Sequence, residues 1–369
     1  MPHNPETRYR AAVVGTGGIA VAHARAIRAH GDRIELAAVV DIDGGRAADF
    51  AETWKARQVY PDVSALLAGG DVDLVHLCTP PAWHAPLALQ CLEAGVHVLV
   101  EKPPTLSLAE LDRLIAVSER TGAHLATVFQ HRFGAGAVRL RAMGAAGELG
   151  APMLATCETQ WYRDDDYYNV AWRGKWDTEG GGPTMGHGIH QFDLLLSILG
   201  PWERVTAVAA RRARRVETED VSMALVTFAS GATAAIVNSV LSPRQESALR
   251  IDYANATIEL RHLYGYTDDD WTVTPAPGHD DVAQHWSRDR SFVESGHAQQ
   301  LAAVLDALDA GVPPPVTAAD TRATMELIAA LYASAFTGLP VHSGEIGPGH
   351  PFAARMNGTG APWEAVLAR

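Results

Sequence analysis

Over the first ~130 residues, short apolar runs alternate with stretches of helical periodicity. The runs are Arg10–Gly15 (RAAVVG), Ile34–Asp41 (IELAAVVD), Asp73–Cys78 (DLVHLC), Val96–Val100 (VHVLV) and His124–Gln130 (HLATVFQ). Between them, Gly18–His30, Gly45–Lys55, Trp83–Ala94 and Leu108–Thr121 have the length and spacing of helices. The apolar runs are continuous rather than alternating, so the strands they predict are buried on both faces. That pattern predicts a parallel sheet with helices outside, a doubly wound α/β domain.

The texture changes after Phe133. A helix over Gly136–Ala146 and a strand over Pro152–Trp161 lead through a glycine-rich loop to an apolar helix, Gly188–Leu199. Strands follow at Arg204–Arg211, Val221–Ala229, Ala232–Val240, Ser247–Tyr253 and Ala256–Leu260, separated by turn signals such as Ser230-Gly231 and Asn255. Short strands with turn-length connections predict an antiparallel sheet. Helices around His297–Ala310 and Ala318–Thr337 flank Gly311-Val-Pro-Pro-Pro315. The expected organisation is a first domain over 1–130, a second α/β domain over 131–345, and a surface tail over 346–369.

Val13-Val-Gly-Thr-Gly-Gly-Ile-Ala20 closes the first strand and opens the first helix. Gly15 suits a tight turn, Gly17 lets backbone approach a pyrophosphate, and Ala20 at the third position still permits close helix–strand packing. The amides of Gly18 and Ile19 would face the anion at the helix N-terminus. Asp41 closes the second strand 21 residues after Ala20, where a carboxylate accepts hydrogen bonds from a ribose 2′-hydroxyl and repels a 2′-phosphate. NAD is therefore expected, with NADP less favoured, although Arg46 lies close enough in sequence to moderate that choice.

Two further stretches carry a resemblance. Cys78-Thr-Pro-Pro-Ala-Trp-His84 is followed by His97-Val-Leu-Val-Glu-Lys-Pro103, and Trp172-Arg-Gly-Lys-Trp-Asp-Thr-Glu-Gly-Gly-Gly-Pro-Thr-Met-Gly-His-Gly-Ile-His-Gln-Phe-Asp193 lies beyond. With the glycine turn, they resemble the Gfo/Idh/MocA oxidoreductases, relatives of glucose–fructose oxidoreductase and inositol dehydrogenase, through the first ~340 residues. The resemblance implies a Rossmann domain followed by an α/β domain with an open, mostly antiparallel sheet that often mediates oligomers. It also implies NAD(P)-dependent oxidation or reduction at a sugar or polyol carbon. By position, Lys102 matches the catalytic lysine and His190 the active-site histidine. Thr79, Pro80 and His84 match the loop lining the nicotinamide, and Glu101 with Lys102 joins the cofactor set. One departure stands out: many members carry Asp or Asn four residues before the histidine, where this chain has Gly186 followed by His187.

These residue types suit the chemistry. Oxidising a secondary alcohol releases a hydroxyl proton, and an imidazole with an ordinary pKa near 6.5 accepts it at neutral pH. A lysine beside the oxygen stabilises developing alkoxide charge. Elsewhere, a strand-end lysine would be solvated and a histidine opening an apolar helix would cap it or pack in the core. Gln130, Arg132, Tyr162, Trp172, Arg173 and His187, with Lys102 and His190, are the expected substrate contacts, because polyol sites pair aromatic faces with fixed polar groups. His187, His190 and Asp193 invite a metal reading, but no further ligand is clearly supplied and none is expected. Asp164-Asp-Asp166 and Asp268-Asp-Asp270 are expected in solvated loops, and Arg211–Arg215 in a turn.

Composition narrows the rest. The 369 residues carry a formal charge of -13, which disfavours a nucleic-acid or anionic-membrane partner. No apolar run reaches the ~20 residues of a membrane span, and the N-terminus lacks the apolar core of a secretion signal. Three scattered cysteines make no disulfide framework, and a cytoplasmic homodimer or homotetramer acting on a small sugar or polyol is expected. Two other functions fit the same residues. A glycosidase-like enzyme would use NAD transiently for oxidation and elimination, and a regulator would bind NAD without turnover.

Overall fold

The computed structural model describes residues 8–69, 71–288, 290–291 and 293–363, which form two compact units. In the first, six parallel strands, β1 (Tyr9–Val14), β2 (Ile34–Val40), β3 (Gln58–Tyr60), β4 (Leu74–Leu77), β5 (His97–Val100) and β6 (Leu125–Thr127), lie in the order 3-2-1-4-5-6. This is the doubly wound Rossmann order, whose switch point falls between β1 and β4. Ala11, Ala12, Val13 and the whole of β4 are shielded from water, as continuous apolar strands require. Strand β3 is mostly exposed at the sheet edge, which is why its sequence carries no comparable apolar run.

The helix Ala20–Ala29 buries Ala20, Ala24, Ala26 and Ile27 against the sheet. A later segment, 297–321, also belongs to this unit, whereas a boundary at 130 would assign it to the second domain. Its helix, His297–Ala310, brings Leu301, Val304, Leu305 and Leu308 into the core that holds Ile27, Leu36 and Val39. Each such side chain contributes about 1.5–3 kcal/mol of burial.

The second unit is built on eight strands: β7 (Pro152–Tyr162), β8 (Trp202–Ala210), β9 (Val221–Phe228), β10 (Thr233–Ser239), β11 (Leu241–Tyr253), β12 (Ala256–His262), β13 (Trp271–Pro275) and β14 (Val341–His342). Their order is 13-12-11-7-10-9-8-14. All neighbours are antiparallel except β7 and β10, which run parallel and make the sheet mixed. One face packs on the helix Ile189–Leu199 and its surroundings. The other leaves Leu154, Val208, Met223 and Leu225 open to water at 49–63% exposure.

Two local expectations are corrected. Asp268 is not solvated: it is buried and pairs with Arg139 at 2.6 Å, while Asp164, Asp165 and Asp166 are exposed as expected. The segment from 346 is not wholly superficial, because Ile346, Phe352 and Met356 are buried and Trp363 stacks on Trp176; residues 364–369 lie outside the described residues. The arginines of 211–215 do form a turn, pinned by three backbone N–H groups donating to the Asp220 carboxylate.

Candidate active site

The first unit assembles a nucleotide cradle at the β1/β4 switch point. Gly15 has φ +84°, and a Cβ there would lie 3.0 Å from Cys78 backbone atoms and Thr79 Cγ2, so both conformation and crowding require glycine. Gly17 and Gly18 are exposed at the start of the helix that follows, and a Cβ on either would meet nothing within 4 Å. This open space over a helix N-terminus fits a pyrophosphate. Thr79 Oγ1, on the loop after β4, is buried without a partner among the described residues.

Asp41 is buried and accepts from Thr16 N–H and Oγ1 at 2.7 Å, from Asp43 N–H at 2.9 Å, and from Arg46 at 2.6 and 3.1 Å. Burial pushes its carboxyl up, but Arg46 and the N–H donors outweigh this and hold it well below the usual range. Asp41 is thus a fixed anion at the position that meets an adenosine ribose in this fold. His84 is buried, not open to a ligand; its two ring nitrogens lie 2.7 Å from Pro103 O and 2.8 Å from Thr79 O, tying both loops together.

Lys102 follows β5, and the Lys102–Pro103 peptide is cis. Behind it sits a group no sequence pattern announced. Glu101 Oε1 lies 3.0 Å from His23 Nε2 and 2.9 Å from His297 Nε2, while Oε2 accepts Lys102 N–H at 3.2 Å. His23 Nδ1 in turn contacts His76 Nδ1 at 2.8 Å. Burial pushes the Glu101 carboxyl up, but the two histidines overcome it and hold it well below its ordinary value. Burial depresses His23 and His76, which disfavours the charged form of both rings.

In the second unit, rings from three regions of the chain form a continuous array. His190, near the start of the helix Ile189–Leu199, lies 4.9 Å from His131 and 5.8 Å from Tyr264 between ring centroids. Tyr264 stands 6.2 Å from Trp161, and Trp161 4.9 Å from His187. Tyr167 Oη is 3.4 Å from His187 Nε2, and the Arg173 guanidinium lies 3.6 Å over the Tyr167 ring. Gln130 Nε2 donates to Tyr264 Oη at 3.1 Å. A Cβ on Gly186 would lie 3.6 Å from Glu179 Oε1, so the space an acidic side chain would enter there already faces a buried carboxylate.

The expected substrate residues divide accordingly. Gln130, Arg173, His187 and His190 join the array, and Trp172 flanks it, with Arg173 5.1 Å over its ring. Tyr162 does not: strand alternation turns it to the open face of the sheet, and its neighbour Trp161 takes the inward place. Arg132 is committed instead to a bidentate bond with Asp193 at 2.6 and 2.7 Å, which fixes the helix that carries His190. Tyr264 left no sequence signal because it lies in an irregular loop after β12, with no periodic pattern around it.

Residues 9–129 match the family model described as "Oxidoreductase family, NAD-binding Rossmann fold", and residues 137–259 match the "GFO/IDH/MocA C-terminal domain". The chain belongs to the Gfo/Idh/MocA oxidoreductases. It is 28% identical to the D-glucoside 3-dehydrogenase of Escherichia coli over 90% of this chain and 97% of that protein. It is 30% identical to the UDP-N-acetylglucosamine 3-dehydrogenase of Acidithiobacillus ferrooxidans, over 69% of this chain and 77% of the relative. The WlbA dehydrogenase of Chromobacterium violaceum, solved with NADH and UDP-GlcNAcA, superimposes with TM-score 0.82 at 28% identity, covering 93% of this chain and 98% of that one. This chain is an NAD-dependent dehydrogenase acting on CH–OH groups.

Proposed function

We propose that the substrate is a glycoside or other sugar derivative oxidised at a secondary ring hydroxyl, with the carbon-3 hydroxyl of a pyranoside the first to test. The ring array from His190 to Arg173 carries this reading. It offers apolar faces for sugar C–H surfaces, with imidazole, phenol and guanidinium groups at fixed spacing for hydroxyls. Two relatives named as 3-dehydrogenases support the choice of carbon.

In this reading Gly15, Gly17, Gly18, Ile19 and Asp41 hold the cofactor, and Thr79 and Pro80 line its reactive end. NAD supplies the hydride acceptor when bound. Lys102 donates to the substrate oxygen and stabilises charge as the hydroxyl loses its proton, which His190 accepts. Glu101 and His84 hold the backbone around Lys102 rather than meeting the ligand.

Purified protein supplied with NAD and a panel of methyl glucosides, nucleotide sugars and inositols should form NADH with at least one. Lys102→Ala should lower kcat about 10²–10³-fold, the scale for losing one donor to a developing oxyanion, while NAD binding is retained. Retained turnover would refute the assignment. Tight NAD binding with aglycone release and no net NADH would identify elimination instead.

The open sheet face suits a homodimer or homotetramer. Val208, Met223 and Leu225 form an exposed apolar area beside a charged one made by Glu246, Arg250, Asp252, Glu259 and Arg261, which invites self-complementary pairing. No described helix is long and apolar enough to cross a membrane. Three free, buried thiols suit a reducing cytoplasm. Light scattering across a concentration series tests the assembly.

A further inference from the structure

The geometry points to His297 as a positioning residue for hydride transfer: with His23 it clamps Glu101 Oε1 and so sets the backbone that presents Lys102. This rests on the role assigned to Lys102 above. An ionised carboxylate only accepts hydrogen bonds, so contacts of 2.9 and 3.0 Å to one oxygen require an N–H on Nε2 of both His297 and His23. A neutral His23 protonated at Nε2 then presents a bare Nδ1, and the 2.8 Å contact with His76 is a donation from His76 Nδ1–H. The chain of donors runs one way, from His76 through His23 to Glu101, and His297 completes it from the other side.

The consequence is directional. Glu101 is 5% exposed, and its two oxygens divide the work. Oε1 is fixed by the two imidazoles, and Oε2 receives the backbone N–H of Lys102. Removing one imidazole leaves a buried anion short of a donor, and the carboxylate must turn to recover it, carrying the Lys102 backbone along. His297 arrives from a helix nearly two hundred residues further along the chain, docked by Leu301, Val304 and Leu305. The late helix is therefore part of the catalytic apparatus, not only of the core.

The same three groups have ligand atoms within 4.8 Å of one another, a set that could hold a metal ion. Ligation would need bare Nε2 atoms on both histidines, the opposite protonation. The two alternatives are separable.

His297→Leu should lower kcat about 10²-fold, the scale of an ångström-level misplacement, with NAD affinity and substrate KM changed far less. His297→Gln, which restores an N–H donor, should recover most of that loss. A Leu variant with wild-type kcat would overturn the inference, as would equal losses in the Leu and Gln variants, since then the N–H is not what matters. Lys102→Ala is measured in parallel. If it retains turnover the underlying reading fails; if it is inactive while His297→Leu is not, only this inference fails. Should His297→Leu not fold, ¹⁵N-histidine spectra of the wild-type NAD-loaded protein decide. Nε2-protonated His23 and His297 support the clamp, and a bare Nε2 on either, or stoichiometric zinc on metal analysis, refutes it.

Discussion

Arg132 was expected at the substrate, and its geometry makes a different and measurable claim. Its guanidinium is 11% exposed and forms two bonds with Asp193, whose side chain is fully buried. Arg132→Ala removes the cation that makes two hydrogen bonds to this enclosed carboxylate. Breaking such a pair from one side costs about 3–5 kcal/mol, and at about 2–4 °C per kcal/mol for a unit of this size, Tm should fall roughly 6–20 °C. Replacing both partners together, Arg132→Met with Asp193→Leu, should recover most of the loss, because neither member of the pair is then left buried without the other. Calorimetry on Arg132→Met, Asp193→Leu and the double variant measures the coupling directly. At a temperature where Arg132→Ala stays folded, its substrate KM should be near wild type. A Tm within about 2 °C of wild type, well short of that range, together with a KM raised tenfold or more, would refute the structural assignment and return Arg132 to the substrate.

Two further outcomes follow from the electrostatics. Asp41→Ala should raise the NADP-to-NAD ratio of kcat/KM by roughly tenfold or more, since it removes a carboxylate that repels a 2′-phosphate and frees Arg46 to meet one; an unchanged ratio would show that Asp41 does not face the ribose. His262 is buried, accepts from the Gln191 amide at 2.7 Å, and has its pKa lowered to about 4, chiefly by burial. Its folded pKa lies below its unfolded one, so its contribution is complete above pH ~6.5 and is lost as pH falls toward 4. Between pH 7 and 5 this amounts to about 2 kcal/mol. Urea midpoints should therefore fall less over that interval in His262→Gln than in wild type, and parallel slopes would show that the ring does not titrate there.

How far the sequence could be read depended on whether each signal was local. The strands of the first unit announced themselves because burial on both faces demands uninterrupted apolar runs, as in Ala11–Val14 and Leu74–Leu77. The glycine turn was legible because its chemistry is consecutive in the chain: Gly15 must adopt positive φ against Cys78, and Gly17 and Gly18 must leave room above the helix start. Asp41 belonged to the same local grammar. The mixed character of the second sheet was not legible, since whether β10 runs parallel to β7 is settled by pairing between strands some eighty residues apart, not by either strand's own pattern.

The side chains around the chemistry show the same division. Lys102 and His190 sit in distinctive motifs, and sequence alone nominated them. Tertiary structure decided what surrounds them. Strand alternation exchanged Tyr162 for Trp161, and a buried carboxylate claimed Arg132. Tyr264 entered the ring array from a loop without pattern, and His297 crossed most of the chain to reach Glu101. A hydrogen bond spanning 196 residues leaves no periodic trace in sequence, because each partner's neighbours are chosen for their own helix or strand. Backbone conformation and apolar burial are encoded where they occur; the orientation of a buried polar group is encoded wherever its donors happen to fold.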